Sequence, residues 1–198
     1  MWVYPPRFSM KIDVLMTRNE SDLIAKYASL SPADILEIGT YQGGTTKVLC
    51  ESAPKNRAIW TLDRYMDTGH VLHPGEISRE IDCPNLFLIV GWSENLGELW
   101  HRPIGLLLLD SEHEFGTPMR EFNDFAPFVI PEGFVALHDA AGDGIKFRLE
   151  EGRDIWAMPE PKALMEYIKT LEKWEYVEEV DTLVIFKKKR SNIKLWHS

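Results

Sequence analysis

Short apolar runs alternate along this chain with stretches in which apolar residues recur at helical spacing. Ile35, Leu36 and Ile38 surround Glu37 in a run that stops at Gly39. Ala58–Asp63, Leu86–Gly91, Ile104–Asp110 and the run after Pro131 that closes at His138-Asp139 repeat the pattern: a strand, then a turn or a carboxylate. Between them, Leu23, Ile24, Tyr27 and Leu30 fit one helix face behind an Asn19/Ser21 cap. A second helix opens at Gly43-Gly44 and continues through Val48 and Leu49, and others are expected around 76–81 and through Leu96 and Leu99. Met119, Phe122, Phe125 and Phe128 predict a further helix, and Leu164, Ile168 and Leu171 another within 161–174. Tyr176-Val177 and Leu183–Phe186, on either side of a polar turn, read as a hairpin. Strands alternating with helices predict an α/β fold with a mostly parallel sheet. The uninterrupted Leu106–Leu109 suits a central strand, and Leu86–Val90 is expected to be buried as well.

At 198 residues the chain is the size of one domain. We place an arm at 1–18, aromatic and proline-rich around Trp2, Tyr4, Pro5, Pro6 and Phe8, a single domain at 19–190 and a tail at 191–198, with Lys187–Arg190 as solvated charge. A net charge of −9 disfavours nucleic acid as a partner, because phosphate binding wants a basic surface. Cys50 and Cys83 are the only cysteines, so no disulfide framework is expected. No apolar run approaches a membrane span, and a cytoplasmic, membrane-free protein is expected.

The chemistry concentrates where strands end. Glu37-Ile-Gly39-Thr40-Tyr41-Gln42-Gly43-Gly44-Thr45 is a strand, a glycine turn and a helix N-terminus, the usual seat of a nucleotide-like ligand. The G-x-G-x-x-G spacing of dinucleotide folds is absent, and a carboxylate before the turn suits a cationic or amino-bearing ligand better than a pyrophosphate. Asp63, roughly 25 residues past the glycine turn and at a strand end, is placed to accept ribose hydroxyls, with Arg64 beside it. His70 and His73 sit among Gly69, Pro74 and Gly75 and read as surface residues.

The turn resembles motif I of class I S-adenosylmethionine-dependent methyltransferases. Downstream, Asp110, His113, Phe115, Asp124, Pro131, Gly133, His138 and Asp139 follow in the order seen in the macrocin- and cephalosporin-type O-methyltransferase group (methyltransferase family 24). Glu112 and Glu132 depart from its pattern, the latter standing where a glycine is usual. The resemblance spans about residues 19–140. It implies a Rossmann-like doubly wound sheet of seven strands with a C-terminal antiparallel hairpin. It implies S-adenosylmethionine held by Glu37, Gly39, Thr40, Tyr41, Gln42, Gly43, Thr45, Asp63 and Arg64, with Trp92 and Ser93 at the adenine and Asp110 at the methyl-transfer side. Thr17 and Arg18 would border the cofactor's carboxylate.

A hydroxyl acceptor needs a base or a metal. Asp110 and Asp139, at adjacent strand ends, are the pair that would hold Mg²⁺. Without metal, His113 is the candidate base, since imidazole changes charge near neutral pH, and His138 would donate to the substrate. The leading reading is O-methylation of a small hydroxylated molecule of sugar, phenol or natural-product type. A nicotinamide-dependent oxidoreductase and a non-catalytic S-adenosylmethionine-binding module are the alternatives. Monomer and homodimer are both left open.

Overall fold

The computed structural model describes residues 12, 14–64, 73–113, 115–142, 147–148, 154–155 and 158–190. The expectations for the N-terminal arm, for His70, for most of the loop after Gly142 and for the tail at 191–198 lie outside these residues. In chain order the elements are α1 (Arg18–Ser29), β1 (Asp34–Ile38), α2 (Gly44–Ser52), β2 (Ile59–Asp63), α3 (Pro74–Glu80), β3 (Leu86–Val90) and α4 (Ser93–Gly97). They continue with β4 (Ile104–Leu109), α5 (Thr117–Phe125), a 3-10 turn (Ala126–Phe128), β5 (Val129–Leu137), β6 (Phe147–Arg148), β7 (Asp154–Ile155), α6 (Pro159–Lys169), β8 (Trp174–Val180) and β9 (Leu183–Lys188). Seven strands form one sheet in the order β3-β2-β1-β4-β5-β9-β8, and β6 and β7 pair separately. The first five strands of that order are parallel, β9 runs antiparallel to β5 and β8 pairs antiparallel with β9, the doubly wound sheet with a terminal hairpin that the sequence predicts. No helix among the described residues is long and apolar enough to cross a membrane.

Each sheet face buries its own apolar cluster. Ile24, Tyr27, Ile35, Leu49, Ile77, Leu106 and Leu108 pack on the side of α1, α2 and α3. Leu36, Leu107, Leu109, Phe122, Phe125, Leu164, Ile168 and Trp174 pack on the side of α5 and α6. Alternate residues of β4 serve the two clusters, so all six of its residues are buried, and each large side chain contributes about 1.5–3 kcal/mol. Strand β3 differs from the expectation of full burial. It is the sheet edge, where Phe87 is 44% and Val90 61% exposed. Among the described residues nothing pairs with its outer side.

Local chemistry moved several other boundaries. Helix α1 is capped by Thr17 rather than by Asn19 or Ser21, because Thr17 and Glu20 form a reciprocal capping box. That use of Thr17, whose hydroxyl also donates to Asp181, replaces the suggested cofactor contact. His73 caps α3 and Pro74 starts it, so the helix begins before residue 76. The aromatic helix ends at Phe125, and Phe128 belongs to the 3-10 turn. Lys187 and Lys188 are the last residues of β9 instead of tail: Lys187 pairs with Glu132 at 2.8 Å, and Lys188 donates to the carbonyls of Ala126, Pro127 and Val129. Glu132, in the glycine's place, adopts a left-handed φ of 69°, the conformation for which glycine is the usual residue.

Candidate active site

Register assembles the site. Ile38 lies level with Leu62 on one side and with Leu109 on the other, and Leu109 is level with Leu137. The residues that follow, Gly39, Asp63, Asp110 and His138, therefore emerge side by side at the carboxyl ends of the strands. This is the point where chain order reverses in the sheet, the crevice in which open α/β folds bind ligands. Gly39 has a φ of +103°, and a Cβ there would stand 1.9 Å from the Asp110 carbonyl oxygen, so only glycine lets β1 and β4 close up at this level.

A cavity of about 540 Å³ opens at this crevice. Of the residues expected to hold a cofactor, Gly39, Tyr41, Asp63, Arg64, Trp92, Ser93 and Asp110 line it. Tyr41 takes a left-handed φ of 47°, and its N–H donates to Asp63 Oδ2 at 2.8 Å, which locks the turn onto the end of β2. Arg64 lies over the Trp92 ring, 5.3 Å from its centroid, and pairs with Glu112 at 3.2 Å, joining the ends of β2, β3 and β4 across the cavity.

Glu37, Thr40, Gln42, Gly43 and Thr45 are not on the wall. Glu37, expected to hold the turn and the cofactor's amino-acid end, is fully buried beneath the turn. Its Oε2 accepts from Thr46 and Thr61, each at 2.6 Å, and its Oε1 has no hydrogen-bond partner. Thr61 spends its one proton on Glu37, so the Thr40 hydroxyl is the donor in the Thr40–Thr61 bond. Burial pushes the Glu37 carboxyl up to about 8, aided by the charges of Asp110 and Asp63 against the two threonine hydrogen bonds. A charge in an apolar run marked this residue; nothing in the spacing linked it to threonines on α2 and β2.

At the β4 and β5 ends, Asp110, His113 and Asp139 offer ligand atoms within 4.8 Å of one another. His113 Nε2 stands 3.5 Å from Asp139 Oδ2 and 4.0 Å from Asp110 Oδ1, and it is buried without a hydrogen-bond partner. Asp139 takes a left-handed φ of 54° that turns the chain back at this point. His138 departs from its expected role as donor to a substrate. It is 4% exposed, its Nδ1 lies 3.0 Å from Asp110 Oδ1 and its Nε2 3.4 Å from Glu20 Oε2, so both nitrogens face inward to carboxylates. Burial alone would lower its pKa, but Asp110 and Asp139 outweigh burial and raise it well above the usual value. Asp139 is held below the usual carboxylate range, because His138 and His113 overcome its burial.

Two acids were missed from sequence. Glu20 is fully buried: Thr182 donates to its Oε1 through N–H and hydroxyl at 2.8 and 2.7 Å, and Thr17 N–H and His138 engage Oε2. Those hydrogen bonds and the His138 charge overcome burial and bring its carboxyl down to about 2. Glu121 lines the cavity at 3% exposure, and the Ser111 hydroxyl lies 2.8 and 2.6 Å from its two oxygens. Burial lifts it to about 7 against hydrogen bonds from Ser111 and Ser93. A signal existed for both. Glu20 shares a helix face with Leu23, Ile24 and Tyr27, and Glu121 with Pro118, Phe122 and Phe125.

The sequence matches the family model described as "Methyltransferase domain" (methyltransferase family 24) over residues 36–140, so the chain belongs to that family and is an S-adenosylmethionine-dependent methyltransferase. The fold is similar to that of the O-methyltransferase TomG from Streptomyces achromogenes, involved in tomaymycin synthesis and solved with S-adenosylmethionine, at 15% identity and TM-score 0.64, covering 90% of this chain and 83% of that one. A methyltransferase from Geobacter sulfurreducens is similar at 14% identity and TM-score 0.63, covering 89% and 80%. An rRNA methylase from Streptococcus thermophilus is similar at 16% identity and TM-score 0.57, covering 90% and 100%. No curated protein sequence matches the chain.

Proposed function

We propose that this methyltransferase acts on a hydroxyl group of a small molecule of sugar, phenol or natural-product type. The observation that carries the reading is the cluster of Asp110, His113 and Asp139 beside the cofactor cavity. S-adenosylmethionine supplies an activated methyl group on a sulfonium. The chain must align the acceptor and take its proton, which is mainly proximity and general-base catalysis. Gly39, Tyr41 and Asp63 would hold the cofactor along the turn, with the Asp63 carboxylate toward the ribose hydroxyls. His113 presents an unpartnered Nε2 between two carboxylates, which suits a base that removes the acceptor's proton. His138 acts behind Asp110 and Asp139 as a buried cation that orients them.

The donor set also fits a divalent cation. Two carboxylates and an orphaned imidazole nitrogen at mutual ligand spacing would hold one. The nitrogen shifts the preference from the expected Mg²⁺ toward Mn²⁺ or another borderline ion. Such a cation would lower the pKa of a bound hydroxyl. TomG is an O-methyltransferase of natural-product synthesis, which supports the acceptor class, and the net charge of −9 disfavours an RNA acceptor.

The test is methyl-donor turnover over a panel of catechols, phenols and sugars, with Asp110→Ala, His113→Ala and Asp139→Ala each assayed with EDTA and with Mg²⁺ or Mn²⁺ restored. Turnover should fall roughly 100-fold or more in each variant. Full, EDTA-insensitive activity in the Asp110→Ala and Asp139→Ala variants would sink the metal proposal. Methylation confined to RNA would sink the small-molecule reading.

A further inference from the structure

The two edges of the seven-stranded sheet are built differently. At one edge, β8 carries Glu175, Glu178 and Glu179, and its register with β9 shifts between Tyr176 and Glu178, as at a bulge. Charges and bulges are the usual devices that keep an edge strand from pairing with another chain. At the other edge β3 has neither: Leu86, Phe87, Leu88, Ile89 and Val90 carry no charge and no proline, and their register with β2 is unbroken. By alternation Phe87 and Val90 project to opposite faces, and both are exposed, so neither α3 nor α4 closes over this edge. Trp92 and Leu99, in the segment that follows, are exposed as well.

The backbone fixes how a further strand fits. Gly91 N–H donates to the Asp63 carbonyl and Ile59 N–H to that of Asn85, so the odd-numbered residues of β3 bond β2. Leu86, Leu88 and Val90 therefore turn their N–H and C=O groups outward. In an antiparallel ladder, outward residues pair with outward residues. The register centred on Leu88 engages the whole strand: Leu88 faces Leu88, Leu86 faces Val90, and Phe87 faces Ile89 in the closer, non-hydrogen-bonded pairs. This arrangement is its own two-fold mate. Charge agrees with it. Lys55 and Arg57 lie at the N-terminal end of β3, where the Lys55 carbonyl accepts from Asn85, and Glu94 and Glu98 follow its C-terminal end. Asp82 runs against this pattern, as does Arg64, which is paired with Glu112, and Glu94 already bonds Arg120. An antiparallel copy sets the basic end of one strand beside the acidic end of the other.

We propose that β3 is the contact through which two copies of this chain associate, antiparallel about a two-fold axis at Leu88, into one continuous sheet. Such an interface joins like surfaces, as a two-fold dimer requires. Its apolar pairs leave water, and the unpaired backbone groups of both edges find partners. A chain of net charge −9 repels its own copies, and this uncharged strip with oppositely charged ends is where that repulsion is least.

Sedimentation equilibrium of the full chain at about 100 µM should give twice the mass of the 22.9 kDa protomer. Val90→Lys sets a charge opposite Leu86 of the second copy and should weaken association at least about tenfold. Leu88→Pro, which removes an outward N–H and no bond to β2, should do the same. Both variants should keep the parent's far-ultraviolet circular dichroism, and Val90→Lys decides alone should the proline variant misfold. Under a mild oxidant Leu88→Cys should give a covalent dimer, its two Cα atoms lying about 5.5 Å apart. Val90→Cys, about 14 Å from its own copy, should not, with the parent and its Cys83 as the control. A monomeric parent overturns the proposal in favour of a different occupant, an unlike protein or the chain's own residues 1–11. A dimer that persists undiminished in Val90→Lys, or a crosslink at residue 90 in place of 88, overturns the strand contact.

Discussion

At Glu37 two threonine hydroxyls meet one carboxylate oxygen while the other oxygen has no hydrogen-bond partner, and burial lifts the group to about 8. Its ordinary value is 4.5, so between roughly pH 4.5 and 8 the folded chain keeps a proton that the unfolded chain releases. Stability must then fall as pH rises through that window, with a slope approaching about 1.4 kcal/mol per pH unit from this group. Glu37→Gln keeps an oxygen for Thr46 and Thr61 and has no proton to lose. Urea unfolding from pH 5 to 8 should show a flatter stability profile for the variant, and parallel profiles would refute the protonated carboxyl. Glu37 was legible in the sequence, and its setting was not. The charge stands out in an apolar strand, but what the charge meets depends on Thr46 and Thr61, which only folding brings to it. Asp63, Asp110 and Asp139 were legible because each closes a strand in a sheet whose ligands bind at strand ends. His138 closes one too, yet its ring turns inward, a direction that spacing does not encode.

Helix α1 joins the site through its first turn. Glu20 belongs to the capping box and also accepts from Thr182 and bonds His138, so it ties α1, the β8–β9 turn and the end of β5 together. The pH dependence of this tie has two edges. The Glu20 carboxyl lies at about 2, below its ordinary 4.5, so its contribution is complete above pH 4.5 and is lost as pH falls toward 2. His138 is raised above 6.5, so its contribution is complete below pH 6.5 and is lost as pH rises through its folded value. Glu20→Gln should therefore destabilise most between about pH 4.5 and 6.5, where it removes one of the three carboxylates around a buried cation and weakens the hydrogen bonds from Thr182, at a cost of about 1–3 kcal/mol. Denaturant midpoints for parent and variant across pH 3 to 8 test this, and a gap independent of pH would exclude the ion pair. The existence of α1 was plain from Leu23, Ile24 and Tyr27; its link to the site was not, because Glu20 and His138 meet only when the first helix docks beside the fifth strand. The edge position of β3 was hidden similarly. Its apolar run matches that of a central strand, and only strand order exposes Phe87 and Val90.

Across the whole molecule, a doubly wound sheet gathers groups from four strand ends onto one cavity, and each group is braced from behind by a different element. Tyr41 N–H braces Asp63, the buried His138, itself held by Glu20, braces Asp110, and Glu121 of α5 bonds Ser111 on the wall. A ligand filling the cavity therefore touches the ends of β1, β2, β3 and β4 together and should stabilise the fold as a unit. Binding to the folded state alone adds RT ln(1 + [L]/Kd), about 2.7 kcal/mol at a ligand concentration of 100 Kd. For a domain of this length each kcal/mol raises Tm by about 2–4 °C, so S-adenosylhomocysteine at that concentration should raise Tm by about 5–10 °C. NADH should leave it unchanged, since the turn lacks the G-x-G-x-x-G spacing and a pyrophosphate would face the carboxylates of Asp63 and Asp110. Scanning fluorimetry with both compounds separates the two ligand classes in one experiment. Gly39→Ala gives the internal control: its added Cβ would collide with the Asp110 carbonyl, forcing β1 and β4 apart at the cavity floor. That variant should lose the S-adenosylhomocysteine shift, and its retention at full size would place the ligand somewhere other than this crevice.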